Sequence, residues 1–149
     1  MNVLDLFSGC GGISLGFKLA GFNISGGVDI DPDSIKTFQK NFPKSKAICE
    51  SLLEYSDEKI IEDFGGEEID IVVGGPPCQG FSSANRWQKE NEDPRNKLFF
   101  EYLRFVELLK PKAVVIQNIR AILTRDKGFA KSRNSNDDSS TRCWSWQQP

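Results

Sequence analysis

A cysteine in the middle of the chain has the surroundings of an enzymatic nucleophile. Cys78 lies in the run GGPPCQGFS at residues 74–82, directly after the β-branched segment DIVV at residues 70–73. This run predicts a stiff turn past the end of a strand, because Pro76 and Pro77 fix their own φ angles and remove two backbone donors. A cysteine that only packs in a core needs no such turn. The neighbours of Cys78 therefore favour a nucleophilic thiol over a structural one.

A second run, SGCGG at residues 8–12, predicts a loop that binds a ligand through its backbone. It lies between a predicted strand and a predicted helix, where N–H groups can approach a ligand at the positive end of the helix. Asp29 follows the next strand, 20 residues after Gly9, where a carboxylate can bind ribose hydroxyls. A dinucleotide is one candidate, but the loop lacks the G-x-G-x-x-G spacing. An adenosine without pyrophosphate fits better, since Phe7 and Ile30 could contact adenine, and S-adenosylmethionine is such a ligand.

Composition limits the chemistry that the chain can perform. It contains no histidine, and its four cysteines (Cys10, Cys49, Cys78 and Cys143) are scattered, which argues against zinc and against an imidazole base. The net charge of −2 is unusual for a free-standing DNA-binding domain. There is no apolar run long enough to span a membrane and no basic region of a signal peptide at the start, so we expect a cytoplasmic protein without structural disulfides.

Short apolar segments alternate with amphipathic ones over most of the chain, as in a parallel, doubly wound α/β sheet. The predicted strands are residues 2–6, 22–28, 46–49, 70–73 and 113–116. The predicted helices carry apolar residues at helical spacing: Ile13, Phe17 and Ala20 in the first; Ile35, Phe38 and Phe42 in the second, which Asp31 caps; Ile60, Ile61 and Phe64 in the third, which Ser56 caps; and Leu98, Phe99, Tyr102, Phe105, Val106 and Leu109, all expected to be buried, in the fourth, residues 96–109.

The character of the sequence changes twice outside this pattern. Residues 83–96 are polar and charged, which predicts a functional loop that can move. Residues 131–141 combine serine, asparagine and charge without an apolar residue to anchor them. We therefore expect one catalytic domain over residues 1–128 and a disordered or non-native tail over residues 129–149.

Three motifs together resemble the cytosine-5 DNA methyltransferase family. DLFSGCGG at residues 5–12 is similar to its cofactor loop, GPPCQGFS at residues 75–82 to its catalytic motif, and DPRNKLF at residues 93–99 to a segment that lines its cofactor pocket. The resemblance covers residues 1–128 and implies a Rossmann-like fold, here incomplete. It also implies that a cytosine is flipped out of double-stranded DNA, that Cys78 adds to C6, and that C5 takes a methyl group from S-adenosylmethionine.

The resemblance also assigns roles to individual residues. Cys78 and Gln117 are the candidate catalytic residues, and no metal is expected. The candidate cofactor contacts are Asp5, Phe7, Gly9, Gly11, Gly12, Asp29, Ile30, Ser51, Pro76 and Leu98. The candidate substrate contacts are Pro77, Gln79, Ser82, Arg86, Arg95 and Asn118, and Lys89 lies in the same polar segment as Arg86.

The sequence departs from the family pattern at three points. Gln117 replaces a glutamic acid that, when protonated, donates to N3 of cytosine; an amide keeps a similar donor and acceptor but cannot transfer that proton. Ser51 replaces an aspartate that contacts adenine, with Glu50 beside it as a substitute. The later motifs and the domain that reads DNA sequence are missing, so we expect a truncated copy or one half of a split enzyme that a carboxyl-terminal chain completes.

Two other readings stay open at this stage. The chain could be a pseudoenzyme that binds cofactor or DNA without turnover, which Gln117 and the missing motifs favour. It could also be another nucleotide-binding enzyme, such as a dehydrogenase with Cys78 as a redox or structural thiol. The glycine spacing and the Pro-Pro-Cys-Gln context argue against that last reading.

Overall fold

A five-stranded parallel sheet forms the centre of the molecule. The computed structural model describes residues 1–77 and 94–117. The strands are β1 (Asn2–Leu6), β2 (Asn23–Asp29), β3 (Lys46–Cys49), β4 (Ile71–Gly74) and β5 (Ala113–Ile116). Their order across the sheet is β3-β2-β1-β4-β5, and every neighbouring pair is parallel. All five carboxyl ends therefore lie at one edge, and the strand order reverses between β1 and β4, where open α/β sheets bind ligands.

Four helices connect the strands: α1 (Gly12–Leu19), α2 (Pro32–Asn41), α3 (Asp57–Phe64) and α4 (Pro94–Leu109). Local chemistry explains where two of them begin. The Asp31 carboxylate accepts from Ser34 N at the start of α2, with Pro32 at the first helical position, and the Ser56 hydroxyl accepts from Lys59 N at the start of α3. No helix in the described ranges is long and apolar enough to cross a membrane.

Two apolar clusters fill the two faces of the sheet, because alternate strand residues point to opposite sides. Leu4, Leu6 and Val72 pack with α3 and α4, and the fully buried residues of that cluster include Ile60, Phe64, Tyr102 and Phe105. Val3, Ile71 and Val73 pack on the other face, where Phe38 of α2 and Phe42, the residue that follows α2, cover them. Ile13 and Phe17 of α1 pack against the same cluster. With two helices on each face, the sheet is doubly wound, as the sequence predicts.

Some element boundaries and some degrees of side-chain burial differ from the predictions. β2 begins at Asn23 rather than Phe22 and extends through Asp29. Helix α4 begins at Pro94, two residues before the predicted start, because proline is well suited to a first helical turn even in a polar segment. Tyr102 and Phe105 are fully buried as predicted, but Leu98, Phe99, Val106 and Leu109 are only half-buried.

Candidate functional site

The loop between β1 and α1 turns in a conformation that glycine makes possible. Gly9 and Gly11 have φ angles of 52° and 90°, and the N–H of Gly11 donates to Ser8 O at 2.9 Å. Phe7 also has a positive φ, 61°, which is costly for a residue with a large side chain. Strained residues of this kind cluster at functional sites, where the surrounding structure holds them in place. Phe7 and the glycines thus mark this loop as a candidate site on conformational grounds.

Asp29, at the end of β2, fixes the position of this loop. Its Oδ2 accepts from Gly9 N at 2.8 Å, and its Oδ1 accepts from Asp31 N at 2.9 Å. Each carboxylate oxygen keeps a further lone pair, and the residue is only half-buried. Asp29 can therefore hold the loop and still accept hydrogen bonds from the hydroxyls of a ribose.

Helix α2 and the residue after it, Phe42, pack against the glycine loop. A Cβ on Gly11 would lie 2.4 Å from a ring carbon of Phe42 and 3.0 Å from one of Phe38, so both space and φ require glycine there. The Asn41 side chain donates from Nδ2 to Cys10 O at 3.1 Å. The aromatic rings and this amide together set the distance between the loop and the sheet.

A buried carboxylate lies beneath the loop. Asp5 is 0% exposed, and its Oδ2 accepts from Ser14 Oγ of α1 at 2.6 Å. Burial raises the pKa of Asp5 to about 6, the Ser14 hydrogen bonds act against that rise, and the charge of Asp29 adds to it. Within the described residues, Asp5 Oδ1 and Ser8 Oγ are buried without a hydrogen-bond partner.

These features fit the predicted cofactor. The half-buried Asp29 carboxylate lies beside the loop, which suits a ligand with hydroxyls and positively charged groups, and S-adenosylmethionine carries ribose hydroxyls, a sulfonium and an ammonium. The open space at Gly9 and Gly12, where an added Cβ would meet nothing within 4 Å, leaves room beside the loop. The complete burial of Asp5 means that its carboxylate supports the loop from below rather than forming part of its surface.

The ends of β2 and β3 bring three further predicted contacts together. Glu50 N donates to Asp29 O at 3.0 Å, which ties the two strand ends. Ile30 is 70% exposed, and Ser51, the residue after Glu50, is half-buried. The residues predicted to contact ribose and adenine thus lie at the same edge as the glycine loop.

On the other side of the switch point, Gln117 lies against the turn that leads to Cys78. Its backbone N–H donates to Gly74 O at 2.9 Å, and its Oε1 lies 2.8 Å from the position that a Cβ on Gly75 would take. Pro76 is buried and Pro77 half-buried, and Pro77 is the last residue described before Cys78. The candidate catalytic amide therefore lies beside Gly75, three residues before the candidate nucleophile in the chain.

Of the remaining predicted residues, only some lie in the described ranges. Leu98 is half-buried on α4, and Arg95 lies in the first turn of that helix. The predicted polar loop, apart from the residues that belong to α4, and the predicted tail lie outside the described residues, as do Cys78, Gln79, Ser82, Arg86, Lys89 and Asn118. In residues 1–77 and 94–117 no group of three or more metal-binding side chains occurs.

Two residues of the site were missed from the sequence. Ser14 is the buried residue of α1 and donates to Asp5 near the end of β1. Asn41, in the last turn of α2, donates to Cys10 O of the glycine loop. Ser14 could have been found, because a serine between Ile13 and Phe17 lies near the inward face of the helix. Asn41 gave no such signal, since its partner is 31 residues away in the chain.

Comparisons with known proteins agree with this geometry. The sequence profile of the family described as C-5 cytosine-specific DNA methylase matches residues 1–137. Two similar proteins are the type II methyltransferases M1.HphI of Haemophilus parahaemolyticus, 40% identical over 89% of this chain, and M.DdeI of Desulfomicrobium norvegicum, 44% identical over 88%. A solved structure of a DNA modification methyltransferase encoded within an E. coli prophage superposes with a TM-score of 0.71 at 38% identity and covers 85% of this chain.

The matched region accounts for 36%, 31% and 34% of the lengths of these three proteins. This chain therefore spans about a third of the relatives it matches. Because the family profile covers residues 1–137, the chain belongs to the C-5 cytosine-specific DNA methylase family.

Proposed function

We propose that this chain carries the cofactor site and the nucleophile of a DNA (cytosine-5-)-methyltransferase. The observation that supports this most is the placement of two motifs on either side of the switch point. The glycine loop follows β1, and the turn that leads to Cys78 follows β4, which pairs directly with β1. A methyl donor bound at the first motif would then lie beside a base bound at the second.

S-adenosylmethionine, when bound, supplies an electrophilic methyl group. The residues of this chain would hold it through the backbone of the glycine loop, the Asp29 carboxylate on its ribose, and Ile30 with Ser51 near its adenine. Phe7 and Leu98 would border the pocket, with Pro76 forming its floor. The half-exposed Asp29 and the exposed Ile30 support these assignments.

Cys78 would act as the nucleophile toward a cytosine flipped out of the duplex. Its thiolate would form a C–S bond to C6 and raise the electron density at C5, to which S-adenosylmethionine, when bound, would supply the methyl group. The C5 proton then leaves to water, and the bond between Cys78 and C6 breaks to restore the thiolate. Gln117, whose amide lies against Gly75 near this turn, would bind the Watson–Crick edge of the base.

The rest of the DNA contacts would come from elsewhere. Pro77, Gln79, Ser82, Arg86, Arg95 and Asn118 are the candidate contacts of this chain with the substrate. The chain has a net charge of −2, whereas binding to DNA phosphates requires an excess of positive charge at the interface. We therefore propose that further protein, either a continuation of this chain or a complementing carboxyl-terminal chain, supplies sequence recognition and most phosphate contacts.

The test is covalent trapping on duplex DNA that contains 5-fluorocytosine, since the fluorine prevents release after methyl transfer. We expect an adduct that survives denaturation and that requires both S-adenosylmethionine and Cys78. Cys78→Ser should abolish the adduct. The matched control is Cys49→Ser, which changes an exposed thiol at the end of β3 and should leave the adduct intact.

A binding module without turnover is the second candidate, and the amide at position 117 favours it. That reading predicts reversible binding of S-adenosylmethionine with no covalent product on fluorinated DNA. Absence of cofactor binding by calorimetry would contradict both readings. Binding of NAD in its place would support the dehydrogenase reading instead.

A further inference from the structure

The segment that follows β3 has no helix or strand of its own to hold it. Residues 51–56 connect β3 to α3 at the carboxyl edge of the sheet, and they include Ser51, a candidate adenine contact. Local hydrogen bonds make only a short turn, from Glu54 N to Ser51 O at 3.0 Å and from Leu53 N to Ser51 Oγ at 3.3 Å. Its position in the molecule therefore depends on contacts with other elements.

Arg104 of α4 makes several of those contacts with one guanidinium. Its Nη2 donates to Leu52 O at 3.2 Å and also to Tyr55 O, two backbone carbonyls of the segment. Its Nη1 donates to Asp57 in the first turn of α3, and its Nε donates to Glu101 of its own helix at 2.7 Å. The Arg104 side chain is 26% exposed, so water competes only in part for these bonds.

Apolar packing sets the depth of the same segment, and directional contacts come from Arg104 and from the Tyr55 hydroxyl, which donates to Asp63 of α3. Leu52 and Tyr55 are 2% and 1% exposed, and the Tyr55 ring lies 5.4 Å from the ring of Phe105, the residue after Arg104. Apolar contacts have little directional preference, whereas the planar guanidinium fixes the direction of each carbonyl that it binds. A lysine at position 104 could keep the charge but could not reach both carbonyls and two carboxylates.

We propose that Arg104 is a positioning residue for the cofactor pocket: it ties the segment that carries Ser51 to the helix that carries Leu98. This inference rests on the proposed function, because both residues are cofactor contacts only in that proposal. Arg104 lies six positions after Leu98 on α4, so the helix itself fixes the distance between Leu98 and the guanidinium. Arg104 touches neither substrate nor cofactor and acts through the wall of the pocket.

The test compares Arg104→Lys with a control variant that breaks an ion pair of similar kind far from the pocket. Lys112 binds Asp70 and Glu68 at the opposite edge of the sheet, before β5, so Lys112→Gln removes an interaction of comparable type. Three quantities are measured on the full chain: the Kd of S-adenosylmethionine by calorimetry, the urea midpoint, and hydrogen exchange at the amides of residues 51–56.

We expect Arg104→Lys to raise the Kd about tenfold, which corresponds to about 1.4 kcal/mol, and to speed exchange in residues 51–56. Lys112→Gln should lower the urea midpoint without changing the Kd. If the parent binds S-adenosylmethionine and Arg104→Lys binds it equally well, the role of Arg104 is refuted while the proposed function stands. Equal loss of affinity in both variants would also refute it, since general stability would then explain the effect. A parent chain that does not bind S-adenosylmethionine refutes the proposed function and this inference together.

Discussion

The side-chain oxygen of Gln117 lies 2.8 Å from the point that a Cβ on Gly75 would occupy. Gly75 lies between β4 and the two prolines before Cys78, so the missing side chain gives the amide its place beside the turn. The neighbouring glycine differs: a Cβ on Gly74 would lie 2.1 Å from the backbone oxygen of Leu6 in β1. Gly75 thus leaves space for the end of the Gln117 side chain, and Gly74 leaves space for the backbone of β1.

This difference predicts that two alanine substitutions destabilise the protein to different extents. Gly75→Ala should cost less than about 1 kcal/mol, because the end of a glutamine side chain can move. It should nevertheless slow adduct formation on fluorinated DNA, since the amide is displaced. Gly74→Ala should cost about 3 kcal/mol, because a strand backbone cannot move aside. Urea denaturation of both variants measures the contrast, and equal destabilisation would contradict it.

The residue at position 117 is expected to limit the rate of chemistry. An amide can bind the cytosine edge but cannot supply a proton to N3 as Cys78 adds, and general acid assistance is worth about 10²–10⁴-fold. Gln117→Glu should therefore speed adduct formation by about 10²-fold with little change in DNA affinity. The control is Gln39→Glu on the exposed side of α2, which should change neither quantity. Equal rates for Gln117→Glu and the parent would rule out this role.

Asp29 is expected to be needed for cofactor affinity as an ionised carboxylate. Both of its oxygens accept backbone hydrogen bonds, and an asparagine has only one oxygen with which to accept. Asp29→Asn should weaken S-adenosylmethionine binding about tenfold or more, measured by calorimetry. Asp33→Asn is the matched control, because Asp33 is 85% exposed and pairs only locally with Lys36. An unchanged Kd in Asp29→Asn would show that the ribose is bound elsewhere.

Asp5 is expected to make stability fall as the pH rises through its folded pKa. Burial raises that pKa from 3.8 to about 6, so the folded state holds a proton that the unfolded state releases. The stabilisation is complete below pH 3.8 and is lost as the pH rises through about 6, and the free energy of unfolding falls by about 3 kcal/mol over this range. In Asp5→Asn, the free energy of unfolding measured with urea should not show this fall between pH 4 and 7.

The hydrogen bond from Ser14 gives a second measurement of the same effect. Because that bond lowers the pKa of Asp5, Ser14→Ala should raise the pKa further and move the fall in stability to higher pH. A pH profile identical to that of the parent would mean that Ser14 does not control the Asp5 carboxyl.

Features that depend on neighbours in the chain could be predicted from sequence. Asp31 followed by Pro32, and Ser56 three residues before Lys59, predicted the starts of α2 and α3, since a cap is made by residues within one helical turn. The short apolar segments predicted all five strands within one residue at each end, and the glycine loop and Asp29 were placed correctly at the ends of β1 and β2.

Features that depend on distant residues could not be predicted in this way. Arg104 reads as an ordinary charged residue of an amphipathic helix, yet it binds carbonyls 49 and 52 residues earlier in the chain. The burial of Asp5 likewise depends on α1 and on the neighbouring strands, which no local pattern reports. Leu98 and Val106 are only half-buried because of how α4 lies on the sheet. Helical spacing alone therefore predicted more burial of these two side chains than the structure shows.

The position of β1 between β2 and β4 has a consequence for biosynthesis. Val3 pairs with Ile24 of β2 on one side and with Ile71 of β4 on the other. During synthesis, one side of β1 therefore stays unpaired until β4 has been made. At ribosomal speeds of about 5–20 residues per second, that wait lasts on the order of ten seconds. During this interval the nascent chain presents the bare backbone of Val3, Leu4 and Asp5 to other polypeptides, and a chaperone that shields it would protect the newborn protein from misassembly.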